Sequence, residues 1–351
     1  MPTPDPTSFG GQAIVEGVMM RSRNHFAVAV RAPNGQIVLQ QEPLSKSWLF
    51  RQKWLMVPFL RGTFALLDAM SLGIKAMNFA SHVQLDEKYL PEGVTDPNQA
   101  TYGKAPDEGS SEIVKPLEKG GDTIRSMQVG AAMVLGLALG VVLFVLLPNA
   151  MAEPLSNAGF SPTAINVVSG IFKMIVFIGY LMAISRMEAI RRVFQYHGAE
   201  HKAINALEMG EPLTTEACMR QTRLHPRCGT SFAIIVLLVS ILILTFINRY
   251  LFPGAPLFVN LMARFGVELL LLPPIAGISY ELIRIAGKYR HQKWVNVFFW
   301  PGLMTQYITT AEPDRDQMEV AIVSLQSVIN AETGRVAASS SESAAVATAS
   351  A

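Results

Sequence analysis

Long runs without a charge dominate the second half of the chain. Residues 127–147 read MQVGAAMVLGLALGVVLFVLL, 21 positions with no Asp, Glu, Lys or Arg. A helix rises about 1.5 Å per residue, so about 20 apolar residues cross a bilayer core. Residues 163–184 form a second run whose only charge is Lys173, and 231–248 form a third and most apolar one. A fourth, at 265–287, is interrupted by Glu268, Pro273, Pro274, Glu281 and Arg284. The pattern predicts four transmembrane helices.

The rest of the chain is patterned differently. HFAVAVR at 25–31 alternates, Pro33-Asn34-Gly35 supplies a turn and QIVLQQ returns, so 25–41 predicts a β-hairpin. Residues 54–80 are helical in pattern, with Arg61, Asp68 and Lys75 recurring every seven positions. One charged stripe on an apolar helix suits a helix in the membrane interface or packed on other helices. Residues 86–122 read as a flexible linker and residues from 336 as a disordered tail. WVNVFFWP at 294–301 resembles an interfacial aromatic belt. A last amphipathic helix is predicted over 314–331, with Met318, Ile322, Leu325 and Ile329 as its apolar stripe.

The chain thus divides into a short disordered start (1–9), a hairpin with interfacial helices (10–85), the linker, a membrane domain (123–310), the amphipathic helix (311–335) and the tail. The fold class is mainly α: a polytopic helical membrane protein with about four spans, a small N-terminal β-hairpin and amphipathic helices. Composition agrees, with 50% hydrophobic and 16% charged residues in 351, against about 25% charged in soluble domains. Two Cys exclude a disulfide-stapled scaffold, and a net charge of +2 gives no reason to expect a nucleic-acid partner.

Charge also predicts orientation. The 149–162 loop has no Lys or Arg, whereas the 186–230 loop has seven: Arg186, Arg191, Arg192, Lys202, Arg220, Arg223 and Arg227. By the positive-inside rule that loop and both termini are expected to be cytoplasmic. The opening MPTPDPTSFGGQ lacks a basic region followed by an apolar one, so no signal peptide is expected.

Chemistry concentrates in the same loop. His197-Gly198-Ala199-Glu200-His201 places two imidazoles four residues apart, on one face of a helix, with a carboxylate beside them. This is the H-x-x-E-H order of inverted zinc peptidases, in which the carboxylate takes a proton from water. His225 and Cys228, in HPRCG before the third span, are candidate further ligands for Zn²⁺ or another divalent transition metal. Glu200 is then the general base. The plainer alternatives are polar His on a cytoplasmic helix and a buried structural thiol at Cys228. Gly198 inside a helix costs roughly 1 kcal/mol against Ala, which suggests close approach of another backbone or a ligand. Glu281 reads either as a functional carboxylate near the cytoplasmic end of the fourth span or as a salt-bridge partner of Arg284. Glu268 belongs near the opposite face. Arg191, Arg192 and Arg227 read as membrane anchors or, more sharply, as a site for an anionic headgroup or phosphate.

Five segments carry a family resemblance: GGQAIVEGVMMR (10–21), FQYHGAEHKAINALE (194–208), HPRCGTSF (225–232), GISYELIR (277–284) and TTAEPDRDQMEVAI (309–322). The chain resembles the YqhQ-like bacterial membrane family, a domain of unknown function labelled a predicted metal-dependent enzyme. The resemblance adds Glu16, in the first segment, to the carboxylates that can approach the site, beside Glu281 and Arg227 as accessory candidates. The functions that follow are a membrane-embedded metal-dependent hydrolase acting on a lipid-like or membrane-peptide substrate, a non-enzymatic membrane scaffold or regulator, and a small-solute transporter. A homo-oligomer is compatible with each.

Overall fold

The computed structural model describes residues 5–44, 57, 59–91, 111–113, 123–248, 251–252, 254–288 and 292–334. The central part of the predicted linker, residues 1–4 and the predicted tail lie outside them, as do the side chains of residues 293–299 in the predicted aromatic belt.

The N-terminal region is a five-stranded sheet: β1 (Gly10–Ile14), β2 (Gly17–Arg21), β3 (His25–Arg31), β4 (Ile37–Pro43) and β5 (Ser111–Ile113). The first four strands are antiparallel neighbours in sequence order, and β5 adds parallel to β4. The predicted hairpin is β3–β4, with Ala29 opposite Leu39. The β1–β2 hairpin has no predicted counterpart. Its turn is Val15-Glu16, with Glu16 held at φ 51°, a place where turn chemistry usually puts Gly or Asn.

Both sheet faces are covered, by helices from different parts of the chain. Val18, Met20, Ala27, Ala29, Ile37 and Leu39 face a core shared with α6 (Glu188–Met209) and α11 (Arg315–Thr333). The alternate positions Met19, Phe26, Val28, Val30 and Val38 face α1 (Leu60–Leu85). This is the period-2 consequence of a pleated strand. The sheet, α6 and α11 therefore form one packed body, although their sequences are separated by the apolar helices.

α11 begins with a capping box: Gln317 N–H donates to Asp314 Oδ1 (2.7 Å), and Asp314 N–H donates to Gln317 Oε1 (3.0 Å). At its other end Glu332 accepts from Ser22 Oγ (2.6 Å), Asn24 Nδ2 (2.6 Å) and His25 Nδ1 (3.1 Å), latching the helix to the β2–β3 turn. Burial pushes the Glu332 carboxyl up, but the donors from Ser22, His25 and Asn24 outweigh it and hold it below its ordinary value. A carboxyl lowered by folding stabilises above its unfolded value, and that contribution is lost as pH falls through the folded value. Glu332→Ala is therefore expected to cost about 2 kcal/mol at neutral pH, with the gap from wild type narrowing under acid. Thermal melts of the two proteins across pH check this; superimposable melts at neutral pH would remove the latch.

Three helical segments among the described residues are long and apolar enough to cross a membrane: Val134–Asn157, Pro162–Ile184 and Phe258–Ile285. The first belongs to α2 (Thr123–Val141), a π-helical turn (Val142–Leu146), α3 (Leu147–Ala152) and α4 (Pro154–Asn157). The others belong to α5 (Pro162–Ile184) and α9 (Leu257–Lys288). The run predicted as the third span forms α8 (Gly229–Thr245), which has 17 residues. That is below the roughly 20 of a standard span, so three helices meet the length criterion where four were expected. The short α7 (Thr215–Met219) precedes α8, and α10 (Lys293–Thr309) follows α9. Leu135, Leu137, Leu270 and Leu242 are more than 60% exposed, so the outward face of these helices is apolar.

Several charges in these helices are paired. Lys173 Nζ lies 2.8 Å from Glu268 Oε2, and Asn149 Nδ2 donates to Glu268 Oε1 at 3.2 Å. Arg61 of α1 clasps Glu281 through two bonds of 2.7 and 2.6 Å, with Arg284 farther off at 3.9 Å. The rest of the predicted charged stripe on α1 is also used: Asp68 meets Arg21 (3.3 Å), and Lys75 lies over the ring of Phe26. The opposite stripe, Leu67, Met70, Ile74 and Met77, is exposed.

Candidate metal centre

α6 carries the site. Its central half, from Tyr196 to Ala206, is almost entirely buried between the sheet, α11 and the 219–225 segment. The segment has little regular structure to satisfy its carbonyls, so α6 side chains do so. Lys202 Nζ donates to Met219 O (2.9 Å), and Asn205 Nδ2 to Thr222 O and Leu224 O (2.8 and 3.1 Å). Gly198 lies on another face of α6. A Cβ there would overlap the carbonyl oxygen of Ala311, whose N–H donates to Phe194 O at 2.8 Å. The Gly is needed because the 309–311 segment crosses the helix at backbone distance.

That crossing orients the first imidazole. His197 Nδ1 lies 2.8 Å from Thr309 O, and His201 Nδ1 lies 2.6 Å from Arg223 O. A carbonyl only accepts, so each Nδ1 carries a proton, and in the neutral imidazole Nε2 is then the nitrogen with a free lone pair. His197 Nε2 is 3.1 Å from Cys228 Sγ, and the two rings are 4.4 Å apart. Cys228 is the N-cap of α8, with Thr230 N–H donating to its sulfur at 3.4 Å. One ligand atom from each of His197, His201 and Cys228 falls within 4.8 Å of the others. Two nitrogens and a sulfur suit zinc. At bond lengths of about 2.0 and 2.3 Å, tetrahedral ligand atoms stand roughly 3.5 Å apart, so closure on an ion needs shifts of about 1 Å.

Glu200 completes the cluster. Its Oε2 is 3.9 Å from Nε2 of both His197 and His201. The residue is 5% exposed, and burial pushes its carboxyl up to about 7, against the pull of His197 and of the Gly11 N–H. Gly11 can approach because it has no side chain: a Cβ would sit 2.8 Å from Glu200 Cγ. The first sequence segment thus reaches the site through backbone.

Of the four expected ligands, three come together. His225 Nε2 instead faces Glu208 Oε1 at 3.5 Å, its backbone is held on both sides by Gln306, and burial holds its imidazole below the ordinary value. Arg227 also pairs with Glu208. Glu208 was missed by the sequence reading, although it lies seven residues after His201 and so on the same helix face. The accessory carboxylates are committed elsewhere. Glu16 accepts two bonds of 2.5 Å from Arg192 and one of 3.2 Å from Tyr196, and Glu281 is held by Arg61. Cys218 is fully buried, and burial pushes its thiol up to about 11.

Comparison with known proteins gives a family and no activity. The DUF1385 family, described as a protein of unknown function, matches residues 57–331. The uncharacterized protein YqhQ of Bacillus subtilis (strain 168) is 34% identical over 333 residues, covering 93% of this chain and 94% of that protein. No solved structure matches.

Proposed function

We propose that this chain, which belongs to the DUF1385 family, is a membrane hydrolase whose metal centre stands at the cytoplasmic surface of a bacterial inner membrane. The observation that carries the reading is a shared orientation: both imidazoles set Nδ1 against a backbone carbonyl, which leaves Nε2 as the free ring nitrogen, and both rings lie beside Cys228. Metal-ligating histidines are oriented this way. His197, His201 and Cys228 would hold Zn²⁺ or a similar divalent metal. Such an ion supplies Lewis acidity and an activated water at neutral pH.

The chain's own residues supply the rest. Glu200 Oε2, 3.9 Å from both ligating rings, takes the proton of the attacking water and returns it to the leaving group. The sheet excludes bulk water from its other side. A fourth span, formed by α8, follows from its apolar sequence and from the basic 186–230 segment preceding it. The packing of the sheet, α6 and α11 into one body supports a common, cytoplasmic side for both termini and that segment.

Glu200→Gln separates an enzyme from a scaffold, because the substitution keeps shape and removes the base. It is expected to retain zinc and the wild-type melting temperature, and to fail to complement a strain lacking the gene. Full complementation by Glu200→Gln would overturn the catalytic reading.

A further inference from the structure

Beside the metal centre lies a cavity of about 410 Å³ lined by Arg186, Arg191, Arg223, Phe194, Tyr307 and the 310–311 backbone, with Met182 at its edge. Among the described residues, no carboxylate lines it. The other cations of this region have partners: Arg192 is spent on Glu16, Arg227 on Glu208 and Lys202 on Glu312. Among the described residues, Arg186 donates only to the Met182 carbonyl at the end of its own helix (2.7 Å), and no carboxylate stands within ion-pair reach of Arg186 or Arg191. Arg223 is spread over Thr310 O (2.8 Å), the face of Tyr307 (5.7 Å) and the exposed Glu312 (3.7 Å).

Three arginines thus line one concave space, and two of them, Arg186 and Arg191, are exposed and lack a carboxylate partner among the described residues, which leaves their guanidinium groups available to an anion. Their forked donors match phosphate oxygens. The height of the cavity narrows the source. It opens where the apolar α5 ends, among the exposed apolar side chains Met182 (43%), Met187 (57%) and Tyr307 (54%). That is the level at which aromatic and basic side chains meet lipid headgroups.

We infer that this cavity binds the anionic phosphomonoester headgroup of a membrane lipid and presents it to the His197–His201–Cys228 cluster. The binding stands on the arginines alone, while the presentation rests on the catalytic reading above. The two sites share a wall. Arg223 points its side chain into the cavity and its carbonyl at His201. Thr309 and Ala311, on either side of Thr310, hold His197 and α6. A phosphorylated lipid anchored there would hold its headgroup linkage next to Glu200, which makes lipid phosphate esters the substrate class.

The test is a binding titration of detergent-purified full-length protein with dihexanoyl phosphatidic acid, dihexanoyl phosphatidylcholine and inorganic phosphate. Phosphatidic acid is expected to bind best. Arg186→Gln with Arg191→Gln is expected to weaken it roughly tenfold for each arginine removed, with unchanged zinc content. Equal affinity for inorganic phosphate would overturn the lipid source. Equal affinity for phosphatidylcholine, or an unaffected double variant, would overturn the site. Chelator-treated protein should still bind phosphatidic acid, so a failure of the metal reading leaves this measurement intact.

Discussion

His201→Ala and Cys228→Ser should each empty the metal centre, while His225→Ala should leave it filled. His201 is 1% exposed, and its ring is fixed by the Arg223 carbonyl. Removing it leaves one imidazole and one thiolate, too few donors for a tetrahedral site. The loss of affinity should exceed the roughly 10–100-fold cost of removing a hydrogen-bond partner of a ligand. Elemental analysis gives the metal content. Cobalt substitution adds an independent signal, because a thiolate-to-cobalt charge-transfer band should be present in wild type and His225→Ala and absent from Cys228→Ser. His225 is the decisive control, since its Nε2 faces Glu208 and not the cluster. Zinc lost from His225→Ala but kept by Cys228→Ser would exchange the two in the ligand set, and wild-type protein without stoichiometric metal would end the metal reading.

Gly198→Ala should be the most damaging single methyl in the site. In an open helix the change would stabilise by roughly 1 kcal/mol. Here the new Cβ meets a backbone carbonyl, Ala311 O, which has no rotamer to turn away. The 309–311 segment would have to lift from α6. Thr309 O would then leave His197, and Thr310 O would leave Arg223. A net destabilisation of about 3 kcal/mol is expected, at the upper end for overpacking, together with a drop in zinc content. Thermal melts and metal analysis of the variant read both effects. An unshifted melt would mean that α6 and the 309–311 segment do not approach this closely in solution.

Features governed by near neighbours were legible in the residues. The spacing of Met318, Ile322 and Leu325 and the cap at Asp314 place α11 because helix periodicity and capping are local. The β3–β4 hairpin was visible in its alternation and its Pro-Asn-Gly turn. Gly198 could be read as a point of close approach, though not what approaches. The β1–β2 hairpin was hidden for a physical reason: both faces of the sheet are buried, so GGQAI and GVMMR show no polar alternation. Its turn also uses Glu16 where a glycine would have signalled it.

The site divides the same way. His197, Glu200 and His201 lie on one helix, so their neighbourhood follows from an interval of three or four residues. Whether His225 or Cys228 joins them depends on how a short turn is seated, and Gln306 seats it from a helix about 80 residues away. Glu16 entered through the family resemblance, and Glu281 read either as a functional carboxylate or as a partner of Arg284; Arg192 and Arg61 pair with them only in three dimensions. The sequence by itself determined the apolar helices, the amphipathic ones and the paired imidazoles. Tertiary structure alone decided which third candidate ligand meets them, which carboxylates are already neutralised and which arginines line an open cavity. Periodicity records what a residue's own element does with it, whereas convergence depends on where distant elements bring their backbones.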